Sequence, residues 1–106
     1  MIQSPLDPVT TLAALAHATR WKAMELLAEA STLTAAQLAN AVGMDIDGVA
    51  KHLLVLRRAG LVDAYAGSDA RVTEYRLPEG VLLPDRVLDF GSITIRFSAP
   101  KITTLS

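Results

Sequence analysis

Apolar residues recur with the 3.6-residue period of helices along the first half of the chain, and with the two-residue period of strands further on. Asp7-Pro8 predicts a helix start, with aspartate as N-cap and proline at the first helical position. The alanine- and leucine-rich run 9–16 continues it. A second helix is expected over about residues 19–30, with Trp21, Met24, Leu27 and Ala28 turned to the core. Leu33 falls in a short extended link. Thr34 and Gln37 have the spacing of a capping box, hydroxyl at N-cap and amide three residues later, which opens a short third helix ending near Gly43. Asp45 caps a fourth helix running to about Ala59, where Gly60 ends it. Along that helix Val49, Leu53 and Leu56 form an inward stripe at i, i+4 and i+7.

Beyond Gly60 the pattern changes period. Residues 61–66 and 71–77 are rich in valine, threonine and tyrosine and flank Gly67-Ser68-Asp69-Ala70, a turn signal, so they form a hairpin. Pro78-Glu79-Gly80 interrupts the chain again. In 87–97, Ile93, Ile95 and Phe97 alternate with Thr94 and Arg96, which predicts one more strand with a buried face, Gly91 marking a bulge in it. Short helices followed by a hairpin make the expected fold class mainly α with a β-hairpin wing, a winged helix-turn-helix carrying an extra C-terminal strand. Residues 1–80 would be the DNA-binding domain. Residues 81–106 would be an extension whose strand serves dimerisation or covers the core.

Composition narrows the setting. With 106 residues the chain is the size of one domain, and 51% hydrophobic residues against 20% charged describe a folded one. No apolar run reaches the roughly 18 residues of a membrane span, and no signal peptide is visible, so a cytoplasmic protein is expected. The absence of cysteine excludes disulfides, thiolate metal sites and cysteine nucleophiles. A net charge of −1 is low for a DNA-binding domain and places the weight on where the cations stand.

Two segments carry a family resemblance. ALAHATRWKAMELLAEA has an Ala-Leu-Ala start leading to a Thr-Arg pair, and LTAAQLANAVGMDIDGVAKHLLVLRRAGLV has a Leu-Ala pair, a Gly turn, His-Leu, Val-Leu-Arg and Ala-Gly-Leu-Val in order. With ARVTEYRL as a second wing strand, residues 13–77 resemble the ArsR-type winged-helix transcriptional regulators. The resemblance implies that residues 45–59 form a recognition helix for the major groove. It also implies a homodimer whose recognition helices stand roughly 34 Å apart on a pseudo-palindromic site of double-stranded DNA. Where that family usually opens the recognition helix with hydroxyl and amide side chains, this chain has Asp45, Ile46, Asp47 and Gly48, and Leu54 replaces a basic residue. These changes all reduce the positive charge offered to DNA.

The candidate DNA-binding residues are Thr34, Asp47, Lys51, His52, Arg57, Arg58 and Arg71. Lys51 and Arg58 share the outward stripe of the fourth helix with Asp47 and Val55, and Lys51 is the foremost candidate for a phosphate or base contact. Asp47 can accept from cytosine N4, or pair with Lys51 four residues on. Arg57 and Arg58 either touch phosphate or complement the helix dipole. His52, at the edge of the inward stripe, suits a partly buried, hydrogen-bonded role better than base reading. Arg71 follows the wing turn and can enter the minor groove. Thr34 can meet a phosphate at a helix N-terminus, although capping alone explains it. Arg20 is expected to be structural, through an ion pair, and Arg76 to face solvent or a carboxylate.

His17 and His52 are the only histidines and stand in no ligand-motif spacing, so neither a metal nor a cofactor is expected. No phosphate-cradling glycine loop, nucleophile elbow or hydrolase signature is present, which points away from an enzyme. Residues 87–97 are expected either to pair with a second copy or extend the wing sheet, with Trp21 and the first helix completing the interface, or to cover the chain's own core. The leading function is transcriptional regulation, with repression by a homodimer. The alternative is a winged-helix protein-interaction module without specific DNA binding.

Overall fold

Start and stop signals local to the chain decide where the helices lie. The computed structural model describes residues 6–69 and 71–98. In it α1 spans Pro8–Leu15, α2 Ala18–Leu27, α3 Ala35–Val42 and α4 Ile46–Arg58. Asp7 caps α1, accepting from the Thr10 backbone N–H at 2.9 Å and from the Thr10 hydroxyl at 2.8 Å, and these bonds hold its carboxyl below the ordinary aspartate range. Thr34 and Gln37 close both halves of a capping box on α3, at 3.1 and 2.8 Å. Asp45 caps α4 through the Gly48 N–H at 2.9 Å. Gly43 ends α3 at φ 72°, a left-handed conformation that an L side chain rarely adopts, and this permits the tight turn from α3 into α4.

The hairpin expected after α4 is present. β1 (Asp63–Ala66) pairs antiparallel with β2 (Thr73–Arg76), Asp63 opposite Arg76 and Ala66 opposite Thr73. Ala70 of the expected turn lies outside the described residues. Leu33, in its extended link, exchanges two backbone hydrogen bonds with Tyr75 at 2.9 and 2.8 Å, tying the α2–α3 connection to the base of the wing. The architecture is the expected winged helix-turn-helix.

Two packing expectations need correction. Trp21 was expected inward with Met24, Leu27 and Ala28, yet it stays 40% exposed while those three are buried. Periodicity gives the direction of a side chain but not the reach of its neighbours. Trp21 lies at the margin of the core, where the Phe97 ring meets it edge-on at 4.9 Å.

The tail differs more. A single strand over 87–97 was expected, but the chain turns back within that run. β3 (Leu82–Leu83), β4 (Val87–Asp89) and β5 (Thr94–Arg96) form a separate antiparallel sheet in the order β3-β4-β5. Gly91, at φ 93°, sits in the β4–β5 turn rather than in a bulge, and Phe90 donates to the Ile93 carbonyl across it at 2.9 Å. The sheet does not extend the wing, which remains a two-stranded hairpin. Leu88 of β4, with Phe90 and Phe97 directly after β4 and β5, joins the core cluster with Leu15, Met24, Leu53 and Leu61. Residues 99–106 of the anticipated extension lie outside the described residues.

Candidate nucleic-acid interface

α4 divides its surface sharply. Val49, Leu53 and Leu56 are fully buried, as the inward stripe requires, and the opposite side carries Asp47, Lys51, Leu54, Val55 and Arg58, all exposed. Arg57 is exposed beside that stripe. A helix so anchored by one face and open on the other is a rigid support for outward contacts.

The placement of cations sets this face apart. Elsewhere most of the basic residues among those described are occupied. Lys22 pairs with Glu25 at 3.5 Å, Arg71 with Asp69 at 3.2 Å, Arg76 with Glu74 at 3.6 Å, and Arg86 with Glu29. Arg76 also lies over the Tyr65 ring, 4.6 Å from its centroid. Among the described residues, Lys51, Arg57 and Arg58 of α4 have no carboxylate within 4 Å, and Arg96 is the other such cation outside the Arg20 cluster. The anticipated Asp47–Lys51 pair is therefore not formed, and the Lys51 charge stays available. Exposed i, i+4 pairs contribute only about 0.2–0.5 kcal/mol, little against the entropy of holding two long side chains.

The remaining candidates include Thr34 and Arg71, which lie outside α4. Thr34 spends its hydroxyl oxygen on the α3 cap. Arg71, at the wing, is clasped by Asp69 through its Nε and Nη2, both 3.2 Å away, and its own N–H donates to the same carboxylate at 3.0 Å. This pairing holds the Asp69 carboxyl below its ordinary value and partly neutralises the wing tip.

His52 is turned toward α2 and away from the outward stripe. Arg20 Nη1 lies 3.1 Å from His52 Nδ1, and a guanidinium can only donate, so the imidazole accepts there and is neutral with its proton on Nε2. The same arginine reaches the Ala14 carbonyl through Nε and the Ala13 carbonyl through Nη2. Arg20 thus ties the end of α1 to α4 through carbonyls and a histidine, where an ion pair was expected. His17 packs its ring on His52, centroids 4.1 Å apart, and caps α2 by accepting from the Thr19 N–H at 3.1 Å. The His17–Arg20–His52 cluster escaped sequence reasoning. Its one visible sign was a histidine directly before a helix start, in a position where an acceptor is wanted.

Burial, together with the neighbouring His17 and Arg20, holds the His52 imidazole below its ordinary value. The unfolded chain then binds a proton at His52 more readily than the folded one. The contribution is complete above about pH 6.5 and is lost as pH falls from there through the lowered folded value. Urea unfolding at pH 7.5 and 5.5 should show lower stability at the acid pH, with a smaller difference in His52→Gln. An equal loss in both proteins would place the acid sensitivity elsewhere.

Among the described residues no group of three or more histidine, cysteine, aspartate or glutamate side chains is placed to hold a metal ion, and no helix is long and apolar enough to cross a membrane.

Comparison with known proteins agrees with this geometry. Residues 17–64, from the α2 cap to the start of β1, match the family model described as bacterial regulatory protein, arsR family. None of the curated proteins matches the chain. Among solved structures, reduced HlyU from Vibrio cholerae is similar at 26% identity and a TM-score of 0.60, over 68% of this chain and 73% of that one. NolR from Sinorhizobium fredii is similar at 25% identity and a TM-score of 0.58, over 74% and 84%. Rv0081 from M. tuberculosis is similar at 29% identity and a TM-score of 0.55, over 76% and 79%. HlyU from Vibrio vulnificus, described as a transcriptional regulator, is 26% identical with a TM-score of 0.58, over 68% and 72%. In its helix-turn-helix segment and its winged fold, the chain is similar to bacterial regulatory proteins of the arsR family.

Proposed function

We propose that the protein is a DNA-binding transcriptional regulator that acts in the cytoplasm as a homodimer and represses by occupying a promoter. The observation that carries this reading is the cluster of uncompensated cations on α4, Lys51 with Arg57 and Arg58, in a protein whose other basic residues are mostly paired. A net charge of −1 does not oppose it, because phosphate responds to the local field of this face. α4 enters the major groove, Lys51 and Arg58 meet phosphates or base edges, and the wing with Arg71 approaches the flanking backbone. Asp47, exposed in the first turn of α4, belongs over base edges and away from phosphate, where cytosine N4 is its natural donor.

The dimer rests on α1. This helix carries no charged residue, and while Thr11, Ala14 and Leu15 face the core, Val9 and Leu12 are 73% and 56% exposed. Two such apolar side chains one turn apart suit a second copy better than water. In this reading repression is by simple occupancy of the promoter.

Fluorescence anisotropy with the upstream DNA and with a scrambled duplex, at several salt concentrations, tests the reading. Saturable binding that prefers the upstream duplex is expected. Lys51→Ala and Arg58→Ala should each weaken it and reduce the salt slope by about 1. Absence of binding to both duplexes at low salt would favour a protein-interaction module, in which Asp47 and Leu54 contact a polypeptide.

A further inference from the structure

The outward face of α4 is not simply a basic stripe. Leu54 and Val55 stand there 40% exposed, and neither belongs to the buried core cluster. Their helical neighbours are charged: Lys51 lies three and four residues before them and Arg58 four and three after. Val49, Leu53 and Leu56, on the opposite side, already supply the packing that holds α4 in the domain. Two adjacent branched apolar side chains are therefore kept on the outward face of the helix, outside the core cluster that anchors it.

The charge around them selects the occupant. A purely apolar partner would have to strip water from Lys51, Arg57 and Arg58, none of which has a carboxylate within 4 Å among the described residues. A duplex answers both features at once, because its phosphates flank the groove and its floor carries one apolar group, the C5 methyl of thymine. The groove floor offers Leu54 and Val55 no other apolar group to bury.

We propose that Leu54 and Val55 are specificity-determining residues of α4, and that they read thymine methyl groups in the major groove while Lys51 and Arg58 hold the flanking phosphates. This rests on the DNA-binding reading above and deepens it. Specificity then comes from apolar contact at the centre of the helix, and the site should be richer in thymine there than chance allows. Asp47, about two turns toward the N-terminus on the same face, is placed to read cytosine further along the site.

The test uses a duplex enriched on the full-length protein from a pool of random sequences, and the same duplex remade with deoxyuridine in place of thymidine. Uracil keeps the pairing and lacks only the methyl. Wild-type affinity should fall by about fourfold for each methyl buried, the equivalent of one carbon removed from water. The double variant Leu54→Ala, Val55→Ala should bind the thymine duplex more weakly and lose the preference. Equal wild-type affinity for the two duplexes would overturn the proposal, as would a preference that survives undiminished in the variant. A change in sedimentation of the variant with an unchanged preference would assign the two residues to protein contact and overturn it as well. If no duplex shows salt-sensitive binding, the DNA-binding reading itself fails, a result distinct from all of these.

Discussion

Phe97→Ala is expected to destabilise the fold by about 3–5 kcal/mol, a large share of the roughly 5–15 kcal/mol that holds a domain together. Phe97 is 3% exposed although it lies beyond β5. Its ring meets Trp21 of α2 edge-on, and its backbone N–H donates to the Arg86 carbonyl at 3.0 Å. Truncation removes the apolar contacts of a whole ring and leaves a cavity that the short strands around it are poorly able to close. Trp21 is the only tryptophan, so its emission reports on this contact directly during urea unfolding. Thr94→Ala, at an exposed position of β5, serves as the control and should change stability by less than about 0.5 kcal/mol. Protein concentration must be held equal, because self-association would add to apparent stability. If Phe97→Ala unfolds at the same midpoint as the wild type, the β3-β4-β5 sheet contributes little to holding the domain.

That sheet also marks the boundary of what the sequence made legible. Caps depend on residues three positions apart, so Asp7, Thr34 with Gln37, and Asp45 could be recognised without knowing any tertiary contact. The stripe of Val49, Leu53 and Leu56 was equally plain, because burial of one helix face follows from periodicity alone. The tail was not. Alternation at Ile93, Ile95 and Phe97 was read correctly as a strand, but nothing local says that Phe90-Gly91-Ser92-Ile93 folds the chain back on itself. A strand pattern specifies a buried face and leaves its pairing partner open. Trp21 failed for a related reason, since its cover comes from Phe97, far away in sequence.

The candidate site shows the same division. The outward position of Lys51, Arg58 and Asp47 followed from the turn of the helix, whereas their pairing did not. Arg71 meets a carboxylate two residues away, and Lys51 leaves one four residues away unused. Spacing permits both pairs, and local backbone geometry decides between them. At the turn, Asp69 already accepts the Arg71 N–H and so stands in reach of the side chain. On a regular exposed helix no second bond fixes either partner. His52 depends on three residues from two elements, with α4 presenting the ring, His17 at the start of α2 packing on it and Arg20 of α2 donating to it. No single stretch of sequence contains that arrangement.

Leu12→Glu should have the largest effect on DNA binding of any single change outside α4. The side chain is 56% exposed, so a carboxylate there is tolerated by the isolated chain, and circular dichroism should be unchanged. In the proposed dimer the same carboxylate is pressed against apolar α1 of a second copy, deprived of water and without a cation on that helix to pair with. The variant should sediment as a monomer at concentrations where the wild type is a dimer. Affinity for the palindromic duplex should then fall by roughly 100- to 10,000-fold, because the second recognition helix no longer benefits from the effective concentration that the first one confers. The salt slope should fall too, toward half, as one set of phosphate contacts remains. Val9→Glu, one turn earlier on the same face, should behave alike. Lys51→Ala should weaken DNA binding while leaving sedimentation untouched. This contrast separates the two surfaces: α1 governs assembly, and α4 governs contact with the duplex. A Leu12→Glu protein that still sediments as the wild type does would remove α1 from the interface and leave its exposed apolar face without the role assigned to it.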